Sequence, residues 1–179
     1  MRKLFRVFCA VALFCGVSIT SQAQQKDWAI GLRLGEPSGL NVKKYIGKSN
    51  ALDINIGAYG NFYGRRAYKD GYWRKGAAVM VNYLWQKRIP DAKGLQWYYG
   101  LGGQIGFRKY YWWDKNQYKN EYYTEETRVS LGATGMIGLE WFIPKSPISL
   151  FVDATPYIEI VPSIFRINFQ GGIGGRFNF

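Results

Sequence analysis

Residues 165–179 read FRINFQGGIGGRFNF. The odd positions, Phe165, Ile167, Phe169, Gly171, Ile173, Gly175, Phe177 and Phe179, are all apolar or glycine. The even positions, Arg166, Asn168, Gln170, Gly172, Gly174, Arg176 and Asn178, are all polar or glycine. Successive side chains of a β-strand point to opposite faces, so the stretch reads as one long ribbon with an apolar side and a polar side. The fold turns on which of those sides meets the protein interior.

The same alternation recurs upstream. Trp28, Ile30, Leu32 and Leu34 flank Arg33; Leu40, Val42 and Ile46 alternate with Asn41, Lys43 and Tyr45. Leu52–Ala58 sets Leu52, Ile54, Ile56 and Ala58 against Asp53, Asn55 and Gly57. Ala77–Trp85 sets Val79, Val81, Tyr83 and Trp85 against Met80, Asn82 and Leu84. Leu95–Phe107, Val129–Trp141 and Ile148–Ile158 behave alike, with Tyr98, Gln104, Glu140, Phe151, Asp153 and Tyr157 on their second faces. With the last stretch these make eight candidate strands, most near the length that crosses a bilayer at a tilt, roughly 9–11 residues. No segment of the chain after residue 23 carries a 3.6-residue apolar period, so no substantial helix is expected there.

The connections alternate in length. Glu36–Ser38, Gly47–Asn50, KRIPDAKG, IPKSP and the segment from Glu159 to Ile164 are short. GNFYGRRAYKDGYWRKG and KYYWWDKNQYKNEYYTEET are long, and both leave the same end of the strand array. An even number of strands places both chain ends at the opposite end. Short turns on one side and long loops on the other are the asymmetry of transmembrane barrels.

The polar face decides the orientation. It carries Arg33, Lys43, Asp53, Glu140, Asp153, Arg166 and Arg176, both signs in similar numbers. Eight strands enclose a space that side chains can fill, and opposite charges there can pair. The other face is nearly uncharged along every strand; in water it would be a large sticky belt, whereas hydrocarbon solvates it. A soluble eight-stranded ligand-binding barrel has the reverse polarity. The expectation is therefore apolar outward and ions inward. Trp28, Trp85, Trp97, Trp141, Phe177 and Phe179 then fall on the outward face near the rim that bears the short turns. That is where aromatic girdles mark a membrane boundary. Closure is required as well, because an open sheet edge in lipid would leave unpaired N–H and C=O groups at several kcal/mol each.

The amino-terminal residues read as an export signal: Arg2, Lys3 and Arg6, then an apolar core from Val7 to Val17, then Ser21-Gln22-Ala23 with a cleavage point after Ala23. That core is shorter than the ~20 residues a spanning helix needs. Residues 24–179 then form a single barrel domain. Both cysteines, Cys9 and Cys15, fall inside the signal, which leaves no disulfide or cysteine metal site in the barrel. Removing the three signal cations lowers the formal charge from +12 to +9. For an exported chain, that balance points to anionic lipid rather than nucleic acid.

The alternating FRINFQGGIGGRFNF with its terminal Phe179, and the early hairpin GLRLGEPSGLNVKKY, resemble the small outer-membrane β-barrel proteins of Gram-negative bacteria, the OmpA/OmpX-like eight-stranded type. The resemblance covers residues 24–179. It implies an all-β, eight-stranded antiparallel up-and-down transmembrane barrel in the outer membrane. It also implies recognition of the carboxy-terminal aromatic strand by the barrel-assembly machinery. Enzymes built on such barrels mostly rely on a histidine base, and this chain has no histidine. Ser-His and Asp-His chemistry is thereby removed. A carboxylate pair among Asp53, Glu140 and Asp153 competes with a salt-bridge network to the four lumen cations, and the network is the expectation. No catalytic, cofactor-binding or metal-binding residue is assigned.

The loops carry the remaining candidates. Arg65, Arg66, Lys69, Arg74 and Lys75 outnumber Asp70 and would face the phosphates of lipopolysaccharide. Tyr110, Tyr111, Trp112, Trp113, Tyr118, Tyr122 and Tyr123 would either pack into a β-extension above the barrel or offer a surface to a partner protein or glycan. The function expected is non-enzymatic: a structural or surface-interaction barrel. The alternatives are an accessory subunit of a larger outer-membrane transport or assembly complex, a histidine-free lipid-modifying enzyme, or a narrow pore. Lumen glycines are expected to make room for Tyr98, Phe151 and the arginines.

Overall fold

The computed structural model describes residues 27–60, 67–68, 71–73, 76–113, 123–162 and 165–179. Ten strands follow in chain order: β1 (Trp28–Gly35), β2 (Ser38–Ile46), β3 (Asn50–Tyr59), β4 (Ala67–Tyr68), β5 (Gly71–Trp73), β6 (Gly76–Arg88), β7 (Leu95–Trp113), β8 (Tyr123–Phe142), β9 (Ile148–Val161) and β10 (Arg166–Asn178). Eight of them, β1–β3 and β6–β10, close into a barrel in which each strand pairs antiparallel with its sequence neighbour. The ring is completed by β10 against β1, running from Ala29↔Asn178 to Gly35↔Gly172. Reciprocal backbone bonds between Trp28 and Phe179, at 3.2 and 2.8 Å, continue that seam to the rim. The expected strand 8 to strand 1 closure is what satisfies the backbone of both.

The two faces follow the alternation. Ile167, Ile173 and Leu139 are 62%, 60% and 42% exposed, whereas Arg33, Lys43 and Glu140 are at most 1% exposed. A continuous apolar outer wall and an ionic interior are the inverse of a water-soluble barrel and fit a hydrocarbon solvent. The β8–β9 ladder shifts register between Leu131 and Gly132, and it skips the two positions opposite Thr155 and Pro156. Pro156 has no N–H to donate, which accounts for the skip.

Three boundaries differ from the sequence reading. The strands read as Leu95–Phe107 and Val129–Trp141 continue as β7 and β8 well beyond the barrel wall, paired from Lys109↔Thr127 to Trp113↔Tyr123. Tyr110, Tyr111, Trp112, Trp113 and Tyr123 are therefore strand residues of a β-extension, not loop residues. The short hairpin β4–β5 lies beside it, with Gly71↔Trp112 and Trp73↔Tyr110 in register. Third, β9 runs to Val161, so Glu159 belongs to a strand and not to a connection. Ile158 and Ile160, both exposed, carry the outward stripe past the point where the sequence reading ended it.

Candidate functional site

The site is the lumen, and its lower half, next to the short turns, centres on Glu140. Strand β8 aims this carboxylate inward from the middle of an uninterrupted alternation. Five side chains on four other strands donate to it. Lys43 Nζ reaches Oε2 at 2.6 Å and Gln86 Nε2 at 3.3 Å; Arg176, Tyr45 and Ser149 reach Oε1 at 2.8, 3.0 and 3.0 Å. Arg176 also bridges to Asp53 at 3.4 Å and donates through Nε to Asn41. Its guanidinium lies 3.6 Å from the ring centroid of Phe151. Asn41 in turn donates to Asp53 and to Asn55. Lys43 is the register neighbour of Asp53, yet its ammonium crosses the lumen to Glu140, between the rings of Tyr45 and Tyr98 at 5.0 and 4.8 Å. A buried charge is tolerable when it is paired, and here Lys43 and Arg176 each meet a buried carboxylate.

Higher up, Arg33 grips Asp153 with two bonds, Nε to Oδ2 at 3.2 Å and a second at 2.6 Å to Oδ1. Its third nitrogen donates to the Pro37 carbonyl at 2.8 Å. This forked geometry is the strong form of an arginine–carboxylate pair. The upper half also holds an ion pair from Arg108 to Glu159 at 2.9 Å, with the guanidinium 4.4 Å from the Tyr59 ring. Gln170 donates to the Tyr59 hydroxyl at 3.3 Å, and Tyr59 meets Tyr157 edge to face. Here the satisfaction is incomplete: Glu159 Oε1, Gln170 Oε1 and both ends of the Gln104 amide lack a hydrogen-bond partner among the described residues.

Of the residues the sequence assigns to the lumen network, Lys43, Asp53, Glu140 and Arg176 are brought into one cluster, and Arg33 with Asp153 into a second. Arg166 is half-buried at the register position opposite Glu159, near the far rim. The sequence reading missed Arg108 and Glu159, which lie one residue past the strand ends it drew. It also left out Asn41, Tyr45, Gln86 and Ser149 as charge partners, since polar neutral residues on a polar face carry no signal of their own. The carboxylates are not paired with each other; each is matched to a cation. Among the described residues no group of three or more His, Cys, Asp or Glu side chains could hold a metal ion.

The lumen glycines make room for large neighbours. A Cβ on Gly138 would lie 2.5 Å from the ring of Tyr98, and one on Gly174 2.5 Å from that of Phe151. One on Gly172 would collide with the guanidinium of Arg33. A methyl group at any of these positions would displace a side chain that packs the lumen.

On the outer wall, Trp28, Trp85, Trp141, Phe177 and Phe179 are exposed at the rim of the short turns, and Trp97 is half-buried there. Tyr99 stacks between Trp85 and Trp97, at 5.5 and 5.3 Å between centroids, and Tyr83 packs edge-on against Trp85 at 5.2 Å. These two tyrosines extend the aromatic band beyond the residues the sequence nominated. The residues read as an export signal, the basic cluster Arg65, Arg66, Lys69, Arg74 and Lys75, and Tyr118 and Tyr122 lie outside the described residues.

No family model matches the chain, and no curated protein matches it. Among solved structures, the N-terminal β-barrel domain of OprF from Pseudomonas aeruginosa aligns with a TM-score of 0.59 at 12% identity. That alignment covers 87% of this chain and 100% of that domain. Ail, the attachment invasion locus protein of Yersinia pestis, aligns with a TM-score of 0.48 at 14% identity, covering 85% and 93% of the two chains. At such identities the likeness is one of fold. The chain has the eight-stranded antiparallel architecture of the small outer-membrane barrels, as the resemblance in its strands implies.

Proposed function

We propose that this protein is a non-enzymatic integral barrel of the Gram-negative outer membrane, exported by its amino-terminal signal. In this reading the membrane-embedded part is a rigid support, and surface interaction belongs to the segments above it. The observation that carries the proposal is the lumen built on Glu140. Its carboxylate is saturated by five donors and fully buried, so it has no free lone pair to act as a base and blocks the barrel bore with charge-paired side chains. A base at Glu140 and a wide channel past it both run against that packing.

The β-extension of β7 and β8, flanked by β4–β5, rises at the opposite end from the termini and is the natural place for contact with the cell exterior. Residues 65–75 carry the β4–β5 hairpin that pairs with this extension, and their cations suit the phosphate groups of lipopolysaccharide. Replacing Arg65, Arg66, Arg74 and Lys75 together with Gln is expected to weaken binding of the folded barrel to purified lipopolysaccharide at least tenfold. Unchanged affinity in the folded variant would discard the lipid contact and leave the support role standing.

A further inference from the structure

The rim that bears the short turns carries a second, independent charge feature, on the outside of the wall. Outward-facing Lys44 on β2 is the direct cross-strand neighbour of Trp28, and its ammonium sits 5.0 Å from the centre of that ring. Lys87 on β6 repeats the arrangement with its own cross-strand neighbour Trp97, at 5.8 Å. Both distances are within the ~6 Å at which a cation is held by an aromatic face. Lys48 and Lys93 in the adjoining turns and Arg88 at the end of β6, all exposed, stand against Asp27 and Asp91. None of these five cations makes an ion pair among the described residues.

The charges are not spread evenly. They occupy the part of the rim formed by β1, β2, β3, β6 and β7, whereas among the described residues the part formed by β8, β9 and β10 offers only Lys145. A cation on the lipid-facing side of a girdle is misplaced if only hydrocarbon lies beside it. It is well placed if a phosphate lies there: the long stem packs along the apolar wall and the ammonium reaches the headgroup layer. The tryptophan face holds the ammonium in position while its N–H donors remain available.

We propose that this arc is a binding site for the headgroup phosphates of anionic glycerophospholipids in the leaflet next to the short turns, with Lys44–Trp28 and Lys87–Trp97 as its two anchors. A zwitterionic headgroup places its own cation beside the phosphate and competes poorly for the same lysines. The inference rests on the membrane reading, but it concerns the opposite rim from the lipopolysaccharide contact and uses none of the same residues.

The test uses the full barrel refolded into phosphatidylcholine vesicles, with folding verified by the gel-mobility shift between unheated and boiled samples. Spin-labelled phosphatidylglycerol and spin-labelled phosphatidylcholine are then compared for the motionally restricted fraction at the protein surface. The expected preference for phosphatidylglycerol is about three- to fivefold. It should fall to near equality in the Lys44→Gln/Lys87→Gln double variant and in high salt, and stay unchanged in Lys145→Gln. Equal association of the two lipids with the wild-type barrel would overturn the proposal. So would a preference that survives the double substitution or is lost equally in Lys145→Gln. Failure to fold into the vesicles at all would instead strike the membrane reading.

Discussion

The two halves of the lumen are made of similar residues and handle them differently. Around Glu140, the carboxylates, Lys43 and Arg176 are joined through Tyr45, Ser149, Asn41 and Asn55; among the described residues Gln86 Oε1, and Asn82 Nδ2 at the register position opposite Asp53, lack a partner. Around Glu159, the Arg108 ion pair shares its space with the amide of Gln104 and oxygens of Gln170 and Glu159 that lack a hydrogen-bond partner among the described residues. Burial alone does not separate them, since Glu140, Glu159 and Gln104 are all at most 1% exposed. Satisfaction does. A buried network in low dielectric is strong when every member is paired and weak when some are not. Among the described residues, the lumen is therefore more fully paired toward the short turns than toward the β-extension.

The comparison can be broken most directly at Glu140. Glu140→Ala leaves Lys43 and Arg176 buried without their principal counter-charge. It should lower the unfolding free energy in lipid vesicles by about 3–5 kcal/mol, read from urea titration of tryptophan fluorescence. Glu159→Ala in the upper half is expected to cost less, about 1–3 kcal/mol, because Arg108 keeps its contact with the Tyr59 ring. Equal losses for the two variants would erase the distinction between the halves. Gln104→Leu sharpens it from the other side. Removing a buried amide that makes no well-formed hydrogen bond among the described residues should change stability by no more than about 1 kcal/mol, or raise it. A loss comparable to that of Glu140→Ala would mean that the upper half is as tightly satisfied as the lower.

Much of this was readable from the chain because its signal is local. Alternation with period 2 depends only on neighbouring residues, so Ile173 and Leu139 could be placed outward and Arg176 and Glu140 inward before any pairing was known. The glycines opposite Tyr98 and Phe151 were legible for the same reason: small residues on a crowded face leave space for large ones. Reading failed at strand ends. Arg108 sits between Phe107 and Lys109, where a charge replaces the apolar outward residue and interrupts the pattern. Glu159 lies past the last clear alternation, although Ile158 and Ile160 continue the stripe on either side of it. The extension of β7 and β8 was similarly hidden, since outside a membrane both faces of a hairpin can be polar or aromatic and the alternation no longer sorts them.

The sequence by itself determined which face of each strand is oily, how many strands cross, at which end the chain begins and finishes, and that the charges belong inside. Only the closed barrel decided who meets whom. Lys43 and Glu140 are 97 positions apart, Arg33 and Asp153 are 120 apart, and Asp53 and Arg176 are 123 apart. Their meeting depends on the tilt and stagger with which eight strands close, a property of the whole ring that no local stretch encodes. A strand can announce that it carries a buried charge, but the partner across the lumen is fixed by global geometry.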